Sequence, residues 1–359
     1  MIRYLVKTFK QYNLLIIFTF IAVILGTTTF SCFLNLQPLQ VNLETSFQAE
    51  AVDINQGKRP IEPLSTVNFN LDENKLALGK NLFSDSRLSS NNTSCATCHN
   101  LDTAGIDNLP VSLSVNNQPL SFNSPTVFNS GLNFKQFWDG RAATLEDQIE
   151  EPINNPLEMA SSWSEIIPKL ESDPGYVKAF NNIYDDGIQK SNIKDAIADF
   201  ERSLLTPSRF DSFLEGEETA ITPQEKKGYE LFQSYGCIAC HQGVNVGGNM
   251  FQALGIFNDY FSQQDDVSSN DLGRFNITQQ ESDRYVFKVP SLRNVELTAP
   301  YFHDGHVETL IEAIKIMAEY QLGRAISKED IESITAFLHS LNGIDLEEKL
   351  VPSPSVFSI

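Results

Sequence analysis

Basic charge, cysteine, histidine and methionine are all scarce in this 359-residue chain, and each shortage excludes something. Only 26 Lys+Arg stand against 46 Asp+Glu, a formal net charge of −20. So acidic a chain cannot neutralise a run of phosphates, which excludes nucleic-acid binding. Five cysteines, four of them in two close pairs, do not make a stapled secreted domain. Alternating strand patterns are nearly absent. With 41% hydrophobic and 20% charged residues, what remains is a globular, mainly α-helical protein long enough for two cores.

Acid is missing altogether from residues 1–43, where Arg3, Lys7 and Lys10 precede an apolar run from Leu14 to Leu34. About 21 residues suffice to cross a bilayer core as a helix. Residues 1–34 are therefore read as a signal sequence or an N-terminal membrane anchor, the length favouring the anchor. Cys32 is a poor lipidation site, because Thr29 and Phe30 replace the usual small aliphatic pattern. Either reading exports the rest of the chain. Residues 35–69, with Pro38, Gly57, Pro60 and Pro63, suit a linker.

Beyond the linker the periodicity is helical. Asn70–Phe83 carries Leu71, Leu76, Leu78, Leu82 and Phe83. Ser191 is an expected cap for a helix striped by Ile193, Ile197, Phe200 and Leu204. Thr222-Pro223-Gln224-Glu225 is a capping box, and Ser327 opens a last helix with Ile331, Ile334, Phe337, Leu338 and Leu341 on one face.

The chain also repeats itself. Gly79-x-x-Leu82-Phe83 returns as Gly228-x-x-Leu231-Phe232. Pro125, Asn129, Phe137, Asp139, Gly140, Thr144 and Leu145 return as Pro290, Asn294, Phe302, Asp304, Gly305, Thr309 and Leu310, every pair 165 residues apart. A single shared offset implies two related domains in tandem, expected at 70–216 and 217–345, with a tail at 346–359.

Each half contains one cysteine pair followed by histidine: Cys95-Ala96-Thr97-Cys98-His99 and Cys237-Ile238-Ala239-Cys240-His241. C-x-x-C-H is the attachment signature of c-type haem: two thiols about one turn apart reach the vinyl groups, and the histidine lies under the iron. A redox dithiol and a zinc site are the rivals. Two covalent haems make His99 and His241 the proximal ligands. For the sixth positions the chain offers Met159, Met250, Met317, His303, His306 and His339, of which only Met159 belongs to the first half. That asymmetry suggests one electron-transfer haem and one reactive haem.

From Thr93 to Met159, with Phe137-Trp138-Asp139-Gly140-Arg141-Ala142 and Asn155-Pro156-Leu157-Glu158-Met159, the sequence resembles the bacterial dihaem cytochrome c peroxidases. So does Val289–Gly323, with Leu297-Thr298-Ala299-Pro300-Tyr301-Phe302-His303 and Ile316-Met317. The resemblance covers roughly residues 70–342. It implies two tandem cytochrome c-like domains in a periplasmic homodimer, with or without a tether to the inner membrane. It also implies reduction of hydrogen peroxide to water with electrons from a monohaem cytochrome c or a copper protein. Met317 then matches the distal ligand of the C-terminal, high-potential haem. Glu158 matches the carboxylate over the peroxidatic N-terminal haem, where it moves a proton between the peroxide oxygens. Gln148 matches a second polar group of that pocket, and Trp138 the tryptophan between the haems. One calcium ion is implied at the domain junction, on Asn123 and the carbonyls of Thr298 and Pro300. His303 takes the place of Trp138 in the second repeat. It is expected, like His306 and His339, to be a surface residue or a support for its neighbours.

One position departs from the pattern. Many relatives carry a blocking distal histidine 16 residues after the first proximal histidine; here that position is Val115, and residues 109–122 contain no histidine. Valine cannot ligate iron, so the N-terminal haem is expected to be open or water-bound even when oxidised. Two other readings compete. A dihaem enzyme that matures a tryptophan-derived quinone also lacks the blocking histidine, but carries tyrosine where this chain has Met317. A simple dihaem electron carrier would use Met159 as sixth ligand.

Overall fold

Residues 59–350, apart from Asp265, are described by a computed structural model. The segment 1–34 with Cys32, residues 35–58 of the expected linker and residues 351–359 of the tail lie outside the described residues. Among the described residues no helix is long and apolar enough to cross a membrane.

Helices begin where the sequence supplies a cap. Asp72 caps α1 (Glu73–Phe83), its side chain accepting from Lys75 N, and Thr144 caps α2 (Leu145–Asn154). Three helices follow: α3 (Trp163–Glu171), α4 (Pro174–Asn181) and α5 (Lys190–Ser203). The cap of α5 is Gln189, two residues earlier than the expected Ser191. Asn192 Nδ2 ties the helix back to Gly187 O and Asp186 Oδ1, drawing residue 190 into the first turn. After α6 (Arg209–Leu214), the Thr222/Glu225 capping box opens α7 (Pro223–Tyr235), with Pro223 in the first turn. Further on lie α8 (Leu310–Ile316), α9 (Lys328–His339), capped by Ser327, and α10 (Ile344–Leu350). Strands β1 (Phe251–Ala253) and β2 (Val286–Lys288) pair antiparallel, Phe251 opposite Lys288.

The two repeats build two helix crossings of one design. α1 crosses α5 at Gly79, and α7 crosses α9 at Gly228. A Cβ on Gly79 would lie 1.9 Å from Ala196 O and 2.8 Å from Phe200 Cβ. On Gly228 it would lie 1.9 Å from Ser333 O and 2.8 Å from Phe337 Cβ. Only glycine lets the backbones meet so closely. One core gathers Leu82, Phe83, Leu145, Ile149, Ile193, Ile197 and Phe200; the other gathers Phe210, Phe232, Ile331, Ile334, Phe337 and Leu338. Each large side chain so buried contributes about 1.5–3 kcal/mol.

The 165-residue repeat is a repeat of backbone. Asn129 and Asn294 have φ of 59° and 62°, Phe137 and Phe302 67° and 68°, Gly140 and Gly305 68° and 63°. Thr144 and Thr309 each cap a helix, and the bridges Gln136–Ala142 and Tyr301–Val307 close equivalent turns. Between the halves stands Thr206, whose Oγ1 accepts from Asn129 Nδ2 (2.7 Å) and Asn294 Nδ2 (2.9 Å).

The last residues of the expected linker are part of the fold. Ile61 is 0% exposed in the second core, and Leu64 N donates to Asp211 Oδ1 at 2.9 Å. Asp211 in turn takes two hydrogen bonds from the guanidinium of Arg293, itself buried. Nor does a free tail begin at 346: Leu346 is buried within α10.

Two candidate haem sites

Both C-x-x-C-H segments fold as tight turns. His99 N donates to Cys95 O at 2.9 Å and His241 N to Cys237 O at 3.0 Å, so the thiols stand one turn apart with the imidazole next in line. Among the described residues Cys95, Cys98, Cys237 and Cys240 form no disulfide. Burial pushes Cys95 up to about 12, and Cys98 and Cys237 to about 11. Among the described residues, the one grouping of His, Cys, Asp or Glu tight enough for a metal is Asp271, His303 and Asp304, away from both motifs.

Burial lowers the pKa of both motif histidines, His241 to about 4, which favours the neutral imidazole that a metal ligand requires. His99 Nδ1 lies 3.3 Å from Gly105 O, which leaves Nε2 for an iron. His241 Nδ1 is buried without a well-formed hydrogen bond among the described residues, beside the carbonyls of Val246 and Pro290. A proline of the repeat flanks each imidazole, Pro125 at His99 and Pro290 at His241. Gly247, at φ 128°, makes room for the second: a Cβ there would strike Pro290 O at 2.2 Å.

A cavity opens at each turn. The C-terminal one is lined by Cys237, Cys240, His241 and Met317, with Leu292, Val295, Ile314, Ile334 and Leu338. Met317 stands where α8 gives way to a π-turn, Met317–Gln321; such widening re-aims a side chain. The N-terminal cavity is lined by Cys95, Cys98 and His99, and by Gln148, Glu158, Met159 and Val115. The residues therefore fit two covalent haems, one facing a thioether among apolar side chains and one facing carboxylate and amide groups.

Trp138, Phe137, Asn123 and Lys288 line both cavities. Trp138 is fixed by its indole N–H, which donates to Asn123 O at 2.9 Å. Lys288 is buried, and burial lowers it to about 8; its charge suits the acidic edge of a haem.

A family profile described as di-haem cytochrome c peroxidase matches residues 73–219. The cytochrome c551 peroxidase of Nitrosomonas europaea is 41% identical over 316 residues, covering 87% of this chain and 92% of that protein. This chain belongs to the di-haem cytochrome c peroxidase family. The cytochrome c peroxidase Ccp of Escherichia coli K12 is 49% identical over 288 residues; the match takes in 79% of this chain but only 61% of that longer protein. Among solved structures, a MauG-like protein associated with microbial copper homeostasis superposes with a TM-score of 0.68 at 28% identity, over 82% of this chain and 95% of that one.

Within this peroxidase-family fold the expected site residues divide cleanly. Glu158 is half-buried, accepts from Asn155 Nδ2 at 2.6 Å, and is pushed above the usual carboxylate range, chiefly by burial. Gln148 shares its cavity from α2. Val115 is 40% exposed, its N–H bonded to Leu157 O, and His99 is the one histidine among the residues described on that wall. Met159 is buried in the first core while also touching the cavity. Asn123, Thr298 and Pro300 all reach the C-terminal cavity, but the Asn123 amide N–H donates to Leu109 O and Pro110 O.

His303 corrects the surface alternative. It is 2% exposed, stacked on Phe287 at 4.5 Å, with Nε2 2.6 Å from Asp271 Oδ1. Aromatic packing and one buried carboxylate hold it against the C-terminal cavity. His306, exposed, bonds Asp304 and Tyr260, and His339 lies 3.3 Å from Glu296. Residue patterns did not single out Lys288, Glu151 or Glu201, and gave Asn155 and Arg141 no role. Arg141 pairs with Glu151 (2.7 Å) and Asp139 (2.9 Å) on the N-terminal wall. Its place beside Trp138 in the repeat turn was the available signal.

Proposed function

We propose that the protein reduces hydrogen peroxide to water with electrons from a small redox protein. Peroxide reacts in the N-terminal cavity and electrons enter through the C-terminal haem. The observation that carries this reading is the contrast of walls: His99 shares its cavity with a half-buried, hydrogen-bonded Glu158, whereas His241 shares its own with Met317 and apolar side chains. The N-terminal haem supplies the two-electron chemistry at peroxide when bound. Glu158 accepts a proton from the proximal peroxide oxygen and returns it to the distal one, a task suited by a carboxyl raised toward neutrality. Asn155 orients that carboxyl, and Gln148 offers an amide to the same space. Trp138, lining both cavities, would bridge haems held at His99 and His241, and Met317 would give the C-terminal one a high potential.

Each half would be one cytochrome c-like domain, the segment Ile61–Leu64 belonging with the second. With Val115 in place of a ligand, the N-terminal site accepts peroxide without prior reduction. A calcium ion at Asn123 Oδ1 and the carbonyls of Thr298 and Pro300 would join the two cavities, since Asn123 lines both. Periplasmic location, with or without a membrane tether, a homodimer, and a cytochrome or copper-protein donor complete the proposal. The strongly acidic surface favours a basic donor whose rate falls as salt rises.

The test is the EPR spectrum of the oxidised, haem-loaded protein, with turnover measured before and after one-electron reduction. A high-spin signal with turnover before reduction supports an open peroxidatic site. Two low-spin signals with turnover only after reduction would overturn the role given to Val115. Inertness in both states would favour the electron carrier.

A further inference from the structure

A buried carboxyl lies where the two halves should match and do not. The crossings at Gly79 and Gly228 align α5 with α9 residue by residue: Phe200 with Phe337, and so Glu201 with Leu338. Ile197 and Glu201 line the N-terminal cavity, as Ile334 and Leu338 line the C-terminal one. At the same place on the same helix, one site presents leucine and the other a carboxylic acid.

Nothing in the fold accounts for that acid. Glu201 is 5% exposed, and its Oε2 is buried without a hydrogen-bond partner among the described residues. Its neighbour Arg202 is committed elsewhere, to Glu146 Oε1 (2.6 Å) and Asp199 Oδ1 (2.8 Å). The charged groups facing Glu201 are that guanidinium and Glu146 from α2; Lys75 on α1 pairs with Asp195 and Asp199. The thiol of Cys95 feels the carboxyl from the haem-attachment turn, and Ser130, which also lines the cavity, has a second buried and unpartnered oxygen. An unpaired carboxylate in such a place is costly, so burial and Glu146 raise Glu201 to about 8. Leucine at 338 shows that the helix packing has no need of an acid.

We propose that Glu201 is the proton-exchanging group of the N-terminal haem cavity, taking up one proton from solvent for the one electron that the haem there receives. This rests on the haem assignment above. With the haem oxidised, its positive charge supports a carboxylate at Glu201. When the donor's electron arrives that support is withdrawn, and the carboxylate binds a proton, leaving the buried net charge unchanged. When the electron passes to peroxide, Glu201 returns the proton to cavity water. Reduction of one peroxide to two waters takes two electrons and two protons, and Glu201 holds one of those protons in step with its electron. At the C-terminal cavity Leu338 exchanges none.

The experiment is a spectroelectrochemical titration of both haems in the holoprotein between pH 5.5 and 9, with haem content measured first. In the wild type the reduction equilibrium of the N-terminal haem should change up to tenfold per pH unit, and that of the C-terminal haem much less. Glu201→Gln should flatten the first and leave the second as it was. Glu201→Leu, copying the residue accepted at 338, gives the same reading if the glutamine variant loads haem poorly. Infrared difference spectra of the wild type should show a protonated carboxyl appearing on reduction. A flat wild-type response, a slope that survives both substitutions, or no carboxyl change would overturn the proposal. A protein without two haems would overturn the functional reading itself.

Discussion

The turns Phe137–Gly140 and Phe302–Gly305 follow one backbone path, yet one carries Trp138 and the other His303. Trp138 donates to Asn123 O and lines both cavities; His303 bonds Asp271 and lines only the C-terminal one. The same split runs through the molecule. Residues that set the backbone are kept between the halves: asparagine and glycine at positive φ, threonine caps, and glycine at the helix crossings. Divergence falls instead on particular cavity-facing positions, Trp138 against His303 and Glu201 against Leu338. A duplicated scaffold thus repeats the C-x-x-C-H turn and its flanking proline in both halves, while the cavity walls around the two turns differ.

The sharpest way to break this comparison is Glu158→Gln. It should lower peroxide turnover by about 10²–10⁴-fold, while the C-terminal haem, titrated by absorbance, keeps its potential. An equal loss on replacing a polar residue of the C-terminal wall would dissolve the division of labour. Next comes Met317→His, which should lower the potential of the C-terminal haem by on the order of 0.1 V or more. Slower turnover with the donor should follow, and the N-terminal haem spectrum should stay unchanged.

Gly79→Ala and Gly228→Ala compare the scaffolds directly. Each forces a methyl against a carbonyl oxygen, costing about 1–3 kcal/mol, and thermal melting should report similar losses if the crossings are equivalent. Thr206→Val removes the acceptor that both Asn129 and Asn294 use. It should destabilise by about 1–3 kcal/mol, with denaturant midpoints showing the two halves loosening together. The smallest effect concerns pH. A carboxyl raised by burial binds its proton more tightly in the folded state, so stability is retained below the usual carboxylate range and lost as pH climbs toward 8. Glu201→Gln should therefore melt with the wild type near pH 5 and above it near pH 8.

Much of the site was legible because covalent chemistry and turns leave local signatures. Cys95, Cys98 and His99, their counterparts Cys237, Cys240 and His241, the Thr222 and Ser327 caps, and the 165-residue repeat are all decided by neighbours in the chain, through thiol spacing, capping hydrogen bonds and positive φ. Glu158 and Met317 were reached by resemblance, since a lone carboxylate or thioether has no period. Other features belong to the tertiary structure alone. Ile61 enters the second core from a segment that reads as linker, and His303 is buried against Phe287 and Asp271. Lys288 and Trp138 face both cavities, and Glu201 faces one without a partner. Burial and the direction of a side chain depend on segments that lie outside its own stretch of chain. Sequence by itself determined that there are two C-x-x-C-H motifs on one repeated frame. Only the packing of α1 on α5 and α7 on α9 decided which side chains line the cavity at each motif, because the free energy of a buried charge depends on every element around it.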